Sequence, residues 1–314
     1  MNVLHSRTAS IVTCLLLSVI SIFGQQGRKP VPSPGSIEGS RLEIYKRVGD
    51  TSLLIHIFEP KNFKSSDSRP AILFFFGGGW RNGTPTQFQH QCAYLASRGM
   101  VAMTADYRVA NRHGTKAVSC VRDAKSALRW VRKNAKRLGI DPNRVAAGGG
   151  SAGGHLAGAL GTIGEFDEET EDLSISSVPN ALVMFNPALV LSSVKGVRTM
   201  DPEKLKSMGE RMGVNPEKLS PYHNIVKSMP PSLILHGKAD TTVPYRTAEV
   251  FAEKAKELGN RCELIGYENQ SHGFFNYGRR GGNMFKVTVM EMDRFLVSLG
   301  YLEGENTVDD YLKK

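Results

Sequence analysis

Over most of the chain, short unbroken apolar runs alternate with stretches in which apolar residues recur every three or four positions. Runs at 71–76, 101–105, 145–147, 181–185 and 232–235 have strand length and no polar alternation, which is the pattern of parallel strands buried on both faces. Residues 262–267 supply one more strand. Periodic stretches at 87–97, 117–138, 152–160, 246–258 and 284–298 predict helices that cover the sheet. Ahead of them, 42–48 and 53–58 flank Gly49 and Asp50, a turn pair that predicts an antiparallel hairpin. The sum is an α/β fold: a mostly parallel central sheet of about eight strands with helices on both faces. Residues 191–229 break the alternation with scattered Gly, Pro and charge around a helical segment near 202–211. Inserted between two strands, they would lie above the carboxyl edge of the sheet as a small lid, with a plain surface excursion as the equal alternative.

The first residues follow another rule. His5 and Arg7 precede an apolar run over 9–23 that is short of the about twenty residues a bilayer span needs. It ends at Gly24 and Gln25 and reads as a secretory signal peptide over 1–24, with an uncleaved anchor as the alternative. Residues 25–40, rich in Gly, Pro, Ser and Gln, form a flexible leader. One domain then runs over 41–314, secreted or periplasmic, with no stable membrane insertion once the signal is removed. Hydrophobic residues at 40% and charged ones at 22% leave enough apolar material for a covered sheet and exclude a disordered chain or a membrane bundle.

Much of the excess behind the formal charge of +10 is concentrated on one predicted helix, where Arg122, Lys125, Arg129, Arg132, Lys133, Lys136 and Arg137 lie opposite an apolar stripe. A solvated face is the expectation, and attraction to an anionic polysaccharide or a membrane surface is the sharper alternative. No nucleic-acid-binding motif accompanies the charge, so no nucleic-acid partner is expected. Without the signal, three cysteines remain. Cys92 and Cys120 are the candidate disulfide pair, against three free buried thiols. Neither CxxC nor HExxH spacing occurs, and no metal site is expected.

The chemistry centres on Gly149, Ser151 and Gly153, a GxSxG lying directly after an apolar strand and directly before a helix. A turn that tight lifts a serine hydroxyl clear of the sheet and leaves no room for side chains at the glycines. The competing phosphate cradle lacks its lysine. A serine hydroxyl is a poor nucleophile without a base, and the chain provides partners at two later strand ends: Asp240 after 232–235 and His272 after 262–267. Among other candidates, His155 is expected to pack or hydrogen-bond on the helix after Ser151, and His236 to be a satisfied core histidine. Asp106 and Asp123 read as structural ion-pair partners, and Glu268 and Asn269 stand too near His272 in sequence to be the first choice for its orienter. Arg279 and Arg280 are candidate contacts for an anionic substrate, or solvated loop arginines.

Phe76-Gly77-Gly78-Gly79-Trp80 follows the first buried parallel strand, where exposed amides could receive an oxyanion. With Asp106-Tyr107-Arg108, the helix over 123–130 and the GxSxG, this segment resembles the α/β-hydrolase superfamily over residues 50–298, specifically the hormone-sensitive-lipase-like esterases and compact carbohydrate acyl esterases. The resemblance implies an oxyanion hole formed by the amides of Gly78, Gly79 and Ala152. Phe76 stands where that family's HGGGW motif has His, and cannot make the hydrogen bonds by which the imidazole holds the loop. The expected protein is a serine esterase with Ser151, His272 and Asp240 as its triad, needing no cofactor. Its expected substrate is an acylated polysaccharide bearing acetyl or feruloyl groups. A short-chain lipid or small-ester carboxylesterase is the alternative, then a peptidase or a hydrolase-fold binding module without catalysis.

Overall fold

Strand after strand in this protein is apolar on both faces, so the sheet is covered on both. The computed structural model describes residues 32–197, 200–279 and 283–313; the expected signal peptide and most of the expected leader lie outside them. Eight strands form one sheet: β1 (Arg41–Val48), β2 (Thr51–Phe58), β3 (Arg69–Phe75), β4 (Val101–Ala105), β5 (Ile140–Gly150), β6 (Ala181–Phe185), β7 (Ser232–Gly237) and β8 (Cys262–Tyr267). Their order is β1-β2-β4-β3-β5-β6-β7-β8. β1 and β2 form the hairpin expected around Gly49, β2 is antiparallel to β4, and every other pair is parallel.

The helices among the described residues are α1 (Gln89–Ser97), α2 (Ala110–His113), α3 (Ala117–Lys133), α4 (Ala152–Thr162), α5 (Pro202–Met212), α6 (Pro216–Leu219), α7 (Tyr245–Glu257), α8 (Asn283–Ser298) and α9 (Val308–Leu312). Successive residues of a strand serve opposite layers. Ala71, Leu73 and Phe75 of β3 join a core with Val121 of α3, Leu156 of α4 and Phe251 of α7. Ile72 and Phe74 join the other, with Leu95 of α1 and Val289 of α8.

Three expectations change. The helix predicted over 117–138 stops at Lys133, where the Asn134 side chain returns to the Trp130 carbonyl (2.8 Å) and Gly139, at φ +55°, turns the chain into β5. The basic face of α3 is not wholly solvated: Lys125 and Arg129 are only 2% and 7% exposed. A loop after α4 folds over them, bringing Asp167 to both and Glu171 to Arg129, so these charges are neutralised within the protein. Thirdly, the candidate Cys92–Cys120 pair gives way to the other reading, three free buried thiols: Cys92 and Cys120 lie in the two cores on opposite sides of the sheet, and both are free, as is Cys262. Protein denatured without reductant is therefore expected to alkylate at Cys92, Cys120 and Cys262. Peptide mass spectrometry would reveal any of these sites protected by a bridge.

Candidate active site

The turn between β5 and α4 is forced by close packing. Ser151 has φ +54° and ψ −115°, a backbone conformation costly for any residue with a side chain. Hydrogen bonds on both sides hold it there: its amide donates to the Phe185 carbonyl (2.9 Å), while its carbonyl accepts from His155 (2.9 Å) and Ala188 (3.2 Å). The flanking glycines permit the approach. A Cβ on Gly153 would lie 2.0 Å from the Phe75 carbonyl oxygen, and one on Gly149 would lie 2.4 Å from that of Gly153.

Because β6, β7 and β8 follow one another in parallel, the carboxyl ends of β7 and β8 bring Asp240 and His272 to the same edge of the sheet. His272 Nε2 is 2.9 Å from Ser151 Oγ, and its Nδ1 is 2.6 Å from Asp240 Oδ2. A carboxylate only accepts, so Nδ1 carries the proton and Nε2 turns a lone pair to the serine hydroxyl. Asp240 is buried, and more donors converge on it: Asn186 Nδ2 at 2.8 Å, and the Thr242 and Val243 amides at 2.8 and 2.9 Å. Burial works to raise its pKa, but the hydrogen bonds from His236, His272 and Val243 overcome it and hold the carboxyl well below the usual carboxylate range.

The loop after β3 is held from beneath. Gly77 N–H donates to Gln87 Oε1 (2.6 Å), Gln87 Nε2 donates to Asn276 Oδ1 (3.0 Å), and Tyr107 O–H donates to the Phe76 carbonyl (2.6 Å). The Phe76 ring stacks on Tyr107 with centroids 4.1 Å apart. Gln87 and Tyr107 thus do what an imidazole at position 76 would. Among the described residues the amides of Gly78, Gly79 and Ala152 have no acceptor, so they are available to a developing oxyanion. Above the loop, the insertion between β6 and β7 brings α5 over the carboxyl edge, and Arg211 Nη2 donates to the Gly79 carbonyl (2.6 Å).

The BD-FAE family profile matches residues 55–255, well over half of the chain. The chain belongs to the BD-FAE family. Ser151 and Asp240 fall inside that match, and His272 lies just beyond it. Esterase LipC of Mycobacterium tuberculosis is 27% identical over 259 residues, a stretch covering 77% of this chain and 63% of that protein. An acetylxylan esterase of Xylanibacter ruminicola is 27% identical over 223 residues, covering 69% of this chain and 42% of its own length. The chain thus spans less than two thirds of either relative. Among solved structures, native esterase 2 of Thermogutta terrifontis is 46% identical with a TM-score of 0.82, covering 86% of this chain and 96% of that one. The same enzyme has been solved with propionate bound, with butyrate bound and phosphorylated by paraoxon. Fold, family and neighbours make this an α/β-hydrolase serine esterase domain.

Other residues singled out in this BD-FAE sequence take different places. His155 is fully buried, its Nδ1 accepting from Trp80 Nε1 (3.1 Å) and its Nε2 donating to the Leu219 carbonyl (2.7 Å), so it packs and hydrogen-bonds as expected. His236 is less self-contained than expected. It donates to the Val243 carbonyl (2.9 Å), but its Nε2 is also 3.4 Å from Asp240, and its Nδ1 has no partner among the described residues. Asp106 pairs with Arg112, and Asp123 with Arg108 and Lys46, as structural ion pairs. Glu268 pairs with Lys238 at the surface. Arg279 is exposed and touches Ser271 Oγ (3.3 Å), while Arg280 lies outside the described residues. Sequence reasoning missed Asn186 and Gln87. Asn186 carried the signal that picked out Asp240, a polar residue at the carboxyl end of a buried strand.

Packing at this site sets two measurable stabilities. Gly153→Ala drives a methyl into a backbone oxygen and is expected to cost about 3 kcal/mol or more, whereas Gly164→Ala, with nothing within 4 Å, stays within about 0.5 kcal/mol of the parent. Urea unfolding compares them. Burial also pushes the His155 pKa from 6.5 down to about 4. In that window the unfolded chain binds a proton that the folded one refuses, so stability rises with pH. Acidification from pH 6.5 to 4 should remove on the order of 3 kcal/mol through this one group. Unfolding across that range should give a flatter profile for His155→Gln than for the parent.

Proposed function

We propose that the protein hydrolyses carboxylic esters through an acyl-enzyme on Ser151, and that its natural substrates are short acyl groups, acetyl foremost, on polysaccharide outside the cytoplasm. The observation that carries the mechanism is the unbroken line from Ser151 Oγ through His272 to Asp240, with contacts of 2.9 and 2.6 Å. Oγ attacks the ester carbonyl while His272 Nε2 takes its proton, and Asp240 stabilises the imidazolium that forms. The oxyanion is received by the Gly78, Gly79 and Ala152 amides. Collapse breaks the bond to the alcohol, which leaves with the proton from His272. A water activated by the same imidazole then attacks the acyl-serine and releases the acid.

Support for a small acyl group comes from the Thermogutta esterase with propionate or butyrate bound, and support for a carbohydrate alcohol from the acetylxylan esterase relative. Export rests on the apolar run over 9–23 and the small residue that ends it. The same propionate and butyrate complexes favour a second reading, a carboxylesterase of small free esters. A non-catalytic binding module has no chemical use for the complete hydrogen-bonded triad.

Ser151→Ala is expected to lower turnover of 4-nitrophenyl acetate by about a thousandfold or more and to abolish labelling by a fluorophosphonate probe. Undiminished turnover in that variant would refute the mechanism. Acetate release from acetylated xylan, measured beside ferulate release from feruloylated arabinoxylan and hydrolysis of 4-nitrophenyl butyrate, separates the substrate readings. The proposal expects the highest kcat/KM on acetylated xylan, and a preference for the aryl butyrate establishes the second reading instead.

A further inference from the structure

A cavity of about 350 Å³ lies between the oxyanion loop and lid helix α5, bordered by Trp80, Arg81, Thr115, Lys116, Glu210 and Arg211. Three of those side chains are cations and one is a carboxylate, so the lining carries a net charge of about +2. Among the described residues none of the three cations pairs with an acid. For Arg211, which is half-buried, this contrasts with Lys125 and Arg129 of α3 and with Lys46 and Arg108 packed on it, all of which are neutralised by Asp or Glu. Arg211 is half-buried and stands 5.0 Å over the Trp80 ring; its Nη2 serves the Gly79 carbonyl, and its Nε is buried without a partner. Burial and the neighbouring charge of Arg81 both disfavour its proton, and a negative charge in the cavity would relieve that strain. The cavity is also tied to the chemistry. Arg211 holds the loop that presents the Gly78 and Gly79 amides, and Trp80 hydrogen-bonds to His155, one turn beyond Ser151.

We infer that this cavity is a subsite for a carboxylate carried by the ester substrate, a few bonds from the scissile carbonyl, with Arg81, Lys116 and Arg211 as its recognition groups. A guanidinium fork matches a planar carboxylate, and two exposed cations at the rim steer it inward. A polysaccharide bearing uronic acid residues is the natural class of substrate with such a group. The inference rests on the esterase reading.

The test compares esters that differ only in charge. The first pair is 3-carboxyphenyl acetate and 3-carbamoylphenyl acetate, with the acid on the alcohol side. The second is 4-nitrophenyl hydrogen adipate and 4-nitrophenyl hexanoate, with the acid on the acyl side. In at least one pair the acid is expected to have a tenfold or greater advantage in kcat/KM at low salt, shrinking in 0.5 M NaCl as exposed charges are screened. The double variant Arg81→Met/Lys116→Met should lose most of that advantage while its kcat/KM on the neutral partner stays within about twofold of the parent. An advantage below tenfold in both pairs, one that survives the double substitution, or an equal loss on the neutral ester overturns the subsite. Absence of turnover on every neutral ester instead removes the esterase reading, and the subsite with it.

Discussion

A carboxylate sunk into the edge of the sheet organises the candidate active site of this protein. Asp240 is buried, and a buried charge is tolerated only where donors replace the water it has lost. The donors come from several parts of the chain: Asn186 beyond β6, His236 at the end of β7, the Thr242 and Val243 amides of its own loop, and the ring of His272 beyond β8. Meeting that demand selects the His272 tautomer and points Nε2 at Ser151. The electrostatic requirement of one residue therefore settles the protonation pattern of the whole line.

The serine end is governed by sterics. Positive φ at Ser151 costs on the order of 1–3 kcal/mol, a cost borne because hydrogen bonds from β6 and the start of α4 leave the turn nowhere else to go. Glycine at 153 lets α4 come against the end of β3, and glycine at 149 lets the helix start there. The two constraints meet at β6: Phe185 accepts from the Ser151 amide, and Asn186, the next residue, donates to Asp240. One strand end thus sets both the height of the hydroxyl and the position of the acid.

Much of this was legible in the residues because it follows from periodicity and order. Strands buried on both faces announce themselves as unbroken apolar runs, and parallel order brings every carboxyl end to one edge, so a Ser, an Asp and a His after three such runs converge. Features made by loops were not legible. The basic stripe of α3 looked solvated because residues 164–180 have no period to show that they fold over Lys125 and Arg129. Cys92 and Cys120 looked close because helical pattern alone does not say on which face of the sheet a helix lies. Gln87 carried no local mark, since its role exists only once Phe76 has left the loop without a side-chain hydrogen bond of its own.

That substitution shows how the oxyanion loop is built. With Phe at 76, an apolar ring stacked on Tyr107 replaces a polar anchor, and the hydrogen bonding passes to Gln87 at Gly77 and Tyr107 at the Phe76 carbonyl, both beneath the loop. From the other side α5 reaches it, through Arg211 at the Gly79 carbonyl. The amides that would receive the oxyanion lie between these supports. A displacement of α5 that withdrew Arg211 would leave the Gly79 carbonyl without that donor, its neighbours still held by Gln87 at Gly77, by the Arg81 and Asn82 amides at the Gly78 carbonyl, and by Ala110 and His155 at Trp80. The insertion between β6 and β7 is therefore tied to the oxyanion loop, because Arg211 holds the Gly79 carbonyl, in the peptide next to the one whose N–H would face the oxyanion.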